Sequence, residues 1–135
     1  AAIECYAYGK DIKFSLEFPD VYYTADKDLL AMVFQNMIFN AIDAIEESDE
    51  ESGTVEIRYE QDENEHKFGV FDSGVSIKNQ EMVFEPFKTS KLKGNGLGLH
   101  LCLQIIQAHE GSIEVILNPK AFYVNLPKRR SKNEA

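Results

Sequence analysis

Asn36-Met37-Ile38-Phe39-Asn40-Ala41-Ile42-Asp43 lies in the middle of a long amphipathic pattern, and this stretch decides the fold. From about Asp28 to Glu46, apolar residues recur at i, i+3 and i+4 spacing, which predicts a helix with one broad buried face. Asp26 or Asp28 can cap its first turn. The rest of the chain must therefore supply a surface on which this helix packs.

A polar stripe runs along the same predicted helix. At about 100° per residue, Asn36, Asn40 and Asp43 fall in one narrow sector, away from the centre of the apolar face. Two asparagines and an aspartate suit a hydrated Mg²⁺, because this cation prefers oxygen ligands and retains some of its water. The alternative is an ordinary polar stripe that faces solvent.

The flanking sequence alternates between apolar and polar residues, which predicts strands. These segments are Ile12–Phe18, Thr54–Tyr59, Lys67–Phe71, Ser112–Leu117 and Phe122–Leu126, with a short strand at Val21–Tyr23 and a second helix from about Leu97 to His109. Asp62 to Glu65 forms an exposed turn between two strands, and Gly111 ends the second helix. Mixed helices and hairpins favour an α/β (α+β) fold, a single sheet covered on one face by helices.

Composition limits the classes of function. The chain has 135 residues, 44% of them apolar, which fits one domain at residues 1–127 with a charged, flexible tail at 128–135. The net charge of −9 argues against nucleic-acid binding, which needs a positive surface. No apolar run approaches the roughly 18 residues of a membrane span. Cys5 and Cys102 form no metal-binding pair.

Two glycine-containing segments can contact a ligand through their backbone. In Asp72-Ser73-Gly74, a carboxylate at the end of a strand can accept a hydrogen bond from an exocyclic amine such as that of adenine, and Gly74 permits close approach. Gly94-Asn95-Gly96-Leu97-Gly98-Leu99 precedes a helix, where backbone N–H groups can hold phosphate oxygens. An ordinary turn is the alternative for the first segment, and a short GxGxG pattern alone is weak support for the second.

Between these segments lies Phe84-Glu85-Pro86-Phe87-Lys88-Thr89-Ser90-Lys91. Its aromatic residues can anchor a lid on the domain, and Lys88, Lys91 or Lys93 can meet phosphate charge. The alternative for each lysine is solvent exposure.

The order and spacing of these four segments resemble the catalytic domain of sensor histidine kinases, in the ATPase superfamily that includes gyrase and Hsp90. The resemblance covers about Ile12 to Pro127. Asn36 to Ala41 is similar to the N box, Asp72-Ser73-Gly74 to the first glycine box, Phe84 to Phe87 to the F box, and Gly94 to Leu99 to the second glycine box. The closest similarity is to nitrogen-regulator-type kinases. The resemblance implies a two-layer Bergerat fold with a mixed, mostly antiparallel sheet.

The resemblance also implies ligands and roles. ATP and Mg²⁺ are the expected cofactors, with Asn40 on the metal and Asn36 nearby as catalytic residues, together with Lys91 in the lid. Asp72 is expected on the adenine amine. The remaining expected nucleotide contacts are Asp43, Gly74, Ile77, Phe84, Gly94, Gly96, Leu97, Gly98 and Leu99.

Two positions depart from the family pattern. Ser76 replaces the last glycine of the first glycine box, and it would add strain if that site required positive φ. Asn118-Pro119-Lys120-Ala121-Phe122 lacks the usual Gly-Thr before the phenylalanine, so a threonine contact near adenine is missing.

The residue one turn before Asn40 distinguishes transfer from hydrolysis. ATP hydrolases of the superfamily carry a glutamate there as general base, whereas Asn36 cannot take a proton. We therefore expect phosphoryl transfer to a histidine on a separate dimerisation domain, followed by relay to a response regulator. His66, His100 and His109 do not fit the acceptor. We expect a cytoplasmic domain without direct membrane contact, monomeric alone and part of a homodimer in the whole protein.

Three other functions share parts of this pattern. An anti-sigma-type serine kinase has the same nucleotide boxes. A degenerate nucleotide-sensing module would bind without catalysis, and Ser76 is its best support. An ATP-driven clamp is disfavoured by Asn36.

Overall fold

The computed structural model describes residues 2–7, 9–17, 23, 25–77, 98–117 and 119–128. Within these residues the chain forms six strands and two helices. In chain order they are β1 (Ala2–Ala7), β2 (Lys10–Glu17), α1 (Lys27–Glu46), β3 (Ser52–Gln61), β4 (Glu65–Asp72), α2 (Gly98–Ala108), β5 (Ser112–Leu117) and β6 (Lys120–Pro127).

The six strands form one sheet in the order β1-β2-β3-β4-β6-β5. Strands β2 and β3 pair in parallel, and the other pairings in the described sheet are antiparallel. A parallel pair needs a crossover connection, and α1 lies between β2 and β3 in the chain. The predicted mixed, mostly antiparallel sheet is confirmed.

Both helices contribute to one hydrophobic core with the sheet. Val33, Met37 and Ile45 of α1 are almost completely buried, as are Cys102 and Ile106 of α2. The sheet contributes buried residues from four strands, namely Ile12, Val55, Ile57, Val70, Phe122, Val124 and Leu126. Cys102 is therefore a small core residue. By length and composition α1 passes as a candidate membrane span, and its apolar face packs into this core.

The boundaries of α1 have identifiable causes. Asp26 caps the helix, since its Oδ1 accepts hydrogen bonds from the backbone N–H groups of Asp28 and Leu29 at 3.1 and 3.0 Å. At the other end, the ammonium of Lys10 on β2 donates to the carbonyl oxygens of Ile45, Glu46 and Ser48 at 2.7, 3.0 and 2.7 Å. A cation on these carbonyls also complements the helix dipole.

The end of α2 differs from the prediction. Glu110 adopts a left-handed conformation with φ 63°. The Glu110 N–H bonds the Gln107 carbonyl, and the Gly111 N–H bonds the Ile106 carbonyl, each at 2.9 Å. This pair of bonds is a Schellman motif with Glu110 in the position that favours glycine. Gly111 is needed for another reason: a Cβ there would stand 2.3 Å from the backbone oxygen of Asn125.

The strands differ from the prediction in two places. Strand β1 was not predicted, yet it pairs with β2 from Ala2↔Ser15 to Ala7↔Lys10. The expected short strand at Val21–Tyr23 is wrong for Tyr23, which lies outside every described strand, while Val21 and Tyr22 lie outside the described residues. Because β2 already has β1 and β3 on its two sides, a further partner has no free edge.

Candidate functional site

The polar stripe of α1 is largely buried. Asn36 is 4% exposed and Asp43 is 7% exposed, while Asn40 is partly exposed. The interpretation of these residues as a solvent-facing stripe is therefore wrong for Asn36 and Asp43. The start of α2 lies beside them: a Cβ on residue 98 would be 3.5 Å from Oδ1 of Asn36. This contact brings the predicted N box and the end of the second glycine box together.

Asn36 has an unsatisfied oxygen. Its Oδ1 is buried and has no hydrogen-bond partner in the structure described. An unpaired buried acceptor costs about 1–3 kcal/mol, so such a group in a folded protein calls for an explanation. The Asn36 oxygen can bind a cation or accept a hydrogen bond from an ordered water. Among the described residues, no cluster of three His, Cys, Asp or Glu side chains exists to hold a metal.

Asp72 is the last residue of β4, and its side chain is only 1% exposed. Its Oδ1 accepts a hydrogen bond from the Gly74 N–H at 2.9 Å and lies 2.6 Å from Nζ of Lys120. Burial raises the pKa of this carboxyl above its ordinary value, while Lys120 and the Gly74 N–H act in the opposite direction. The site thus contains a dehydrated carboxylate with a specific positive partner.

Gly74 fastens the loop after β4 to α1. A Cβ at this position would stand 2.2 Å from the carbonyl carbon of Ala44, so any other residue would collide with helix backbone. The next residue, Val75, donates its N–H to the Ala44 oxygen at 3.0 Å. The close approach that demands glycine in this structure is to α1. Asp72 and the stripe of α1 therefore belong to one rigid arrangement.

Ser76 does not carry the strain that the family pattern suggested. Among the described residues, Glu110 is the one non-glycine residue with positive φ, so Ser76 adopts an ordinary backbone conformation. Ile77, the last described residue of this loop, packs against the hydrophobic core. Backbone strain at Ser76 therefore gives no support to a disabled pocket.

Lys120 is the site residue that sequence reasoning missed. It lies at the start of β6, with its side chain 9% exposed, and its ammonium also donates to the carbonyl oxygen of Val75. The position was noted only for the threonine it lacks. Strand pairing places Phe71 opposite Ala121, so the preceding and following residues, Lys120 and Asp72, meet on the face that the helices cover. Alternation assigns each residue to a face of its strand, but the pairing of β4 with β6 is needed to bring the two together.

The remaining predicted contacts divide into two groups. Gly98 is buried at the start of α2, and Leu99 packs against the core. The predicted positions Phe84, Lys91, Gly94, Gly96 and Leu97 lie outside the described residues, as do the rest of the lid and the tail from residue 129.

Two of the three histidines have structural contacts away from Asp72. His66 on β4 lies 2.6 Å from the hydroxyl of Tyr59 through its Nδ1. Burial, and to a lesser degree Lys128, lowers the pKa of His66. The Nδ1 of His109 lies 2.8 Å from the carbonyl oxygen of Ile105 in the last turn of α2. These contacts agree with the interpretation of both residues as packed surface histidines.

Known proteins have sequences similar to that of this chain. Residues 25–130 match the family described as histidine kinase-, DNA gyrase B-, and HSP90-like ATPase. The sensor histidine kinase FlgS of Helicobacter pylori is 46% identical over 127 residues, which cover 93% of this chain and 33% of that protein. Sporulation kinase A of Bacillus subtilis is 37% identical over 126 residues, or 90% of this chain and 20% of that protein. The chain thus spans between a fifth and a third of these relatives.

Solved structures share the fold. The catalytic domain of histidine kinase ThkA, in a nucleotide-free form, superposes with a TM-score of 0.67 at 33% identity, covering 85% of this chain and 78% of that one. A structure of ThkA in complex with the response regulator protein TrrA gives a TM-score of 0.69 at 31% identity, covering 87% of this chain and 34% of that one.

The sheet with helices on one face, together with these similarities, defines an ATPase domain. The chain belongs to the family of histidine kinase-, DNA gyrase B-, and HSP90-like ATPases. Within that family, it is a catalytic domain of the histidine kinase type, and ATP is the nucleotide that such domains bind.

Proposed function

We propose that this domain binds ATP with Mg²⁺ and transfers the γ-phosphoryl group to a histidine on a separate dimerisation domain of the same protein. The observation that carries the proposal is that α1 contacts both the loop after β4 and the start of α2. Gly74 and Val75 fix Asp72 against α1, and the unsatisfied oxygen of Asn36 lies beside Gly98 at the start of α2.

Each part of the site has a proposed task. The carboxylate of Asp72 accepts the exocyclic amine of adenine, and Ile77 and Phe84 flank the base. Backbone groups at Gly94, Gly96, Leu97, Gly98 and Leu99 hold the phosphates. The start of a helix favours such anions. Lys91 adds a positive charge from the lid.

The α1 stripe fits a magnesium ion by the chemistry of its donors. Asn40 would bind the metal, with Asn36 and Asp43 supplying nearby oxygens, and the buried orphan Oδ1 of Asn36 is the observation that supports this fit. When bound, Mg²⁺ neutralises phosphate charge and orients the transferring group. Asn36 cannot act as a general base for water, which favours transfer over hydrolysis.

The partners follow from the same chemistry. We infer that the phosphohistidine is formed on a histidine outside this chain and is relayed to a response regulator aspartate. The existence of a ThkA complex with its response regulator supports this relay. We also infer that the domain lies in the cytoplasm, where ATP is available. We expect the domain alone to be a monomer and the whole protein to be a homodimer.

Calorimetric titration with ADP and with a non-hydrolysable ATP analogue, with and without Mg²⁺, tests the proposal. We expect micromolar or somewhat weaker binding, about −6 to −8 kcal/mol. Asp72→Asn should nearly abolish it, because the amide presents donors to the adenine amine. Asp49→Asn, in the exposed loop after α1, is the matched control and should bind like the native chain.

A second pair of variants tests the metal. Asn40→Ala should remove most of the Mg²⁺ dependence, whereas Gln35→Ala, an exposed position of the same helix, should preserve it. A folded native chain that fails to bind nucleotide at millimolar concentration would refute the proposed function.

A further inference from the structure

The base end of the site contains a buried ion pair. The carboxylate of Asp72 is 1% exposed and the side chain of Lys120 is 9% exposed, with 2.6 Å between Oδ1 and Nζ. Burial of two charges is unfavourable unless both are well bonded. Lys120 meets this requirement with a second bond, to the carbonyl oxygen of Val75. The lysine is therefore fixed in place on the same side of the sheet as the helices.

The ammonium of Lys120 has hydrogen-bonding capacity left over. An ammonium carries three N–H donors and no acceptor, and the bonds within the described part of the chain use two of them, to Asp72 and Val75. Within the described residues, Asp72 accepts from the Gly74 N–H and the Lys120 ammonium, and both bond to Oδ1. The other carboxylate oxygen, Oδ2, is the one we assign to an incoming amine.

A charged donor and a charged acceptor thus lie side by side. The edge of adenine presents a matching pair, an exocyclic amine that donates and the adjacent ring nitrogen N1 that accepts. Hypoxanthine and guanine present the opposite arrangement, a carbonyl oxygen next to an N–H. In the orientation that adenine adopts, those bases would place a carbonyl against the carboxylate, and mismatched polar groups in a buried site strongly reduce affinity.

We infer that Lys120 is a specificity-determining residue that donates directly to N1 of the base, while Asp72 accepts from the neighbouring amine. The inference rests on the proposed function, since it assumes that adenine occupies this pocket. Lys120 replaces the threonine contact that the sequence lacks at this position. A positive counterion also keeps Asp72 in its ionised, accepting form despite burial.

The test compares ADP with 1-deaza-ADP, in which N1 is replaced by C–H while the amine is retained, and with IDP, which lacks the amine. Calorimetry at fixed Mg²⁺ gives the dissociation constants. A bond from a charged donor predicts that the native chain binds 1-deaza-ADP about 10-fold or more weakly than ADP. In Lys120→Met, that ratio should fall towards about 1. Lys13→Met, an exposed position on β2, should keep the native ratio.

The outcomes are distinct. Equal affinity of the native chain for ADP and 1-deaza-ADP overturns the inference and leaves the proposed function standing. Tighter ADP binding by Lys120→Met also overturns it, since the lysine would then compete with the amine for Asp72. A native chain that binds no ADP refutes both. If Lys120→Met does not fold, the native ratio alone decides, and Lys120→Arg, which retains donors, should preserve discrimination against 1-deaza-ADP.

Discussion

Asp72 is a buried carboxyl group, and its burial and its hydrogen-bond partners shift its pKa in opposite directions. Burial is the larger effect and raises the pKa of the carboxyl from its ordinary 3.8, while Lys120 and the Gly74 N–H partly offset the rise. A carboxyl with a raised pKa binds its proton more tightly in the folded protein than in the unfolded chain. Its contribution to stability is therefore greatest below its ordinary pKa and is lost as the pH rises through the folded value.

The direction of this pH dependence can be measured with a single substitution at Asp72. Urea unfolding of the native chain and of Asp72→Asn, from about pH 3 to pH 8, gives the difference in unfolding free energy at each pH. We expect the native chain to lose stability relative to the variant as the pH rises above about 4, and the difference then to level off. A difference that grows in favour of the native chain would mean that the ion pair with Lys120 outweighs burial.

The relative positions of candidate site residues were predictable where the residues lie on the same helix. Helical spacing alone placed Asn36, Asn40 and Asp43 on one stripe. The position of Asn36 beside Gly98 was not predictable, because α2 comes more than fifty residues later in the chain. Lys120 was missed for the same reason: its partner Asp72 lies on another strand, and only the pairing of β4 with β6 brings them together.

At the scale of elements, the end of α2 offers a prediction about stability. Glu110 takes a left-handed conformation, which costs an L-residue roughly 1–2 kcal/mol. Its negative charge also lies near the negative end of the helix dipole. Glu110→Gly should raise the unfolding free energy by about 0.5–1 kcal/mol after the greater flexibility of unfolded glycine is subtracted.

The matched control is the end of the other helix. Glu47, after α1, has an ordinary helical conformation with φ −74°, so Glu47→Gly gains nothing from glycine and should lower stability by about 0.5–1 kcal/mol. Thermal and urea unfolding of both variants check the pair. If both substitutions destabilise by similar amounts, the left-handed conformation at Glu110 is not a source of strain.

The helices and most strands were predictable from local periodicity, whereas the residues at which they end were harder to predict. The start of α1 was predicted within one residue, because Asp26 is a local cap. Strands β3 and β6 are longer than predicted, since partner strands rather than composition set where pairing stops. Strand β1 was missed because its order depends on pairing with β2. Strand order in the sheet is likewise a property of the tertiary structure.

At the scale of the whole molecule, the proposed transfer depends on how the parts of the site are held and on where an acceptor histidine lies. The parts of the site are fixed by contacts between α1, the loop after β4 and α2. His66 and His109 are engaged by Tyr59 and by the backbone of α2. The proposed transfer thus requires an acceptor histidine from elsewhere in the protein.

This requirement predicts the behaviour of the isolated chain with radiolabelled ATP. Alone with Mg²⁺, the chain should acquire no phosphohistidine. With a histidine-bearing helical hairpin of a sensor kinase supplied in trans, label should appear on the hairpin and should be labile in acid but stable in alkali. Asn36→Ala should reduce transfer strongly, because it removes the buried oxygen beside Gly98, whereas Gln35→Ala should not. Label on His66, His100 or His109, or release of free phosphate faster than transfer, would show that Asn36 does not direct this site towards an external histidine.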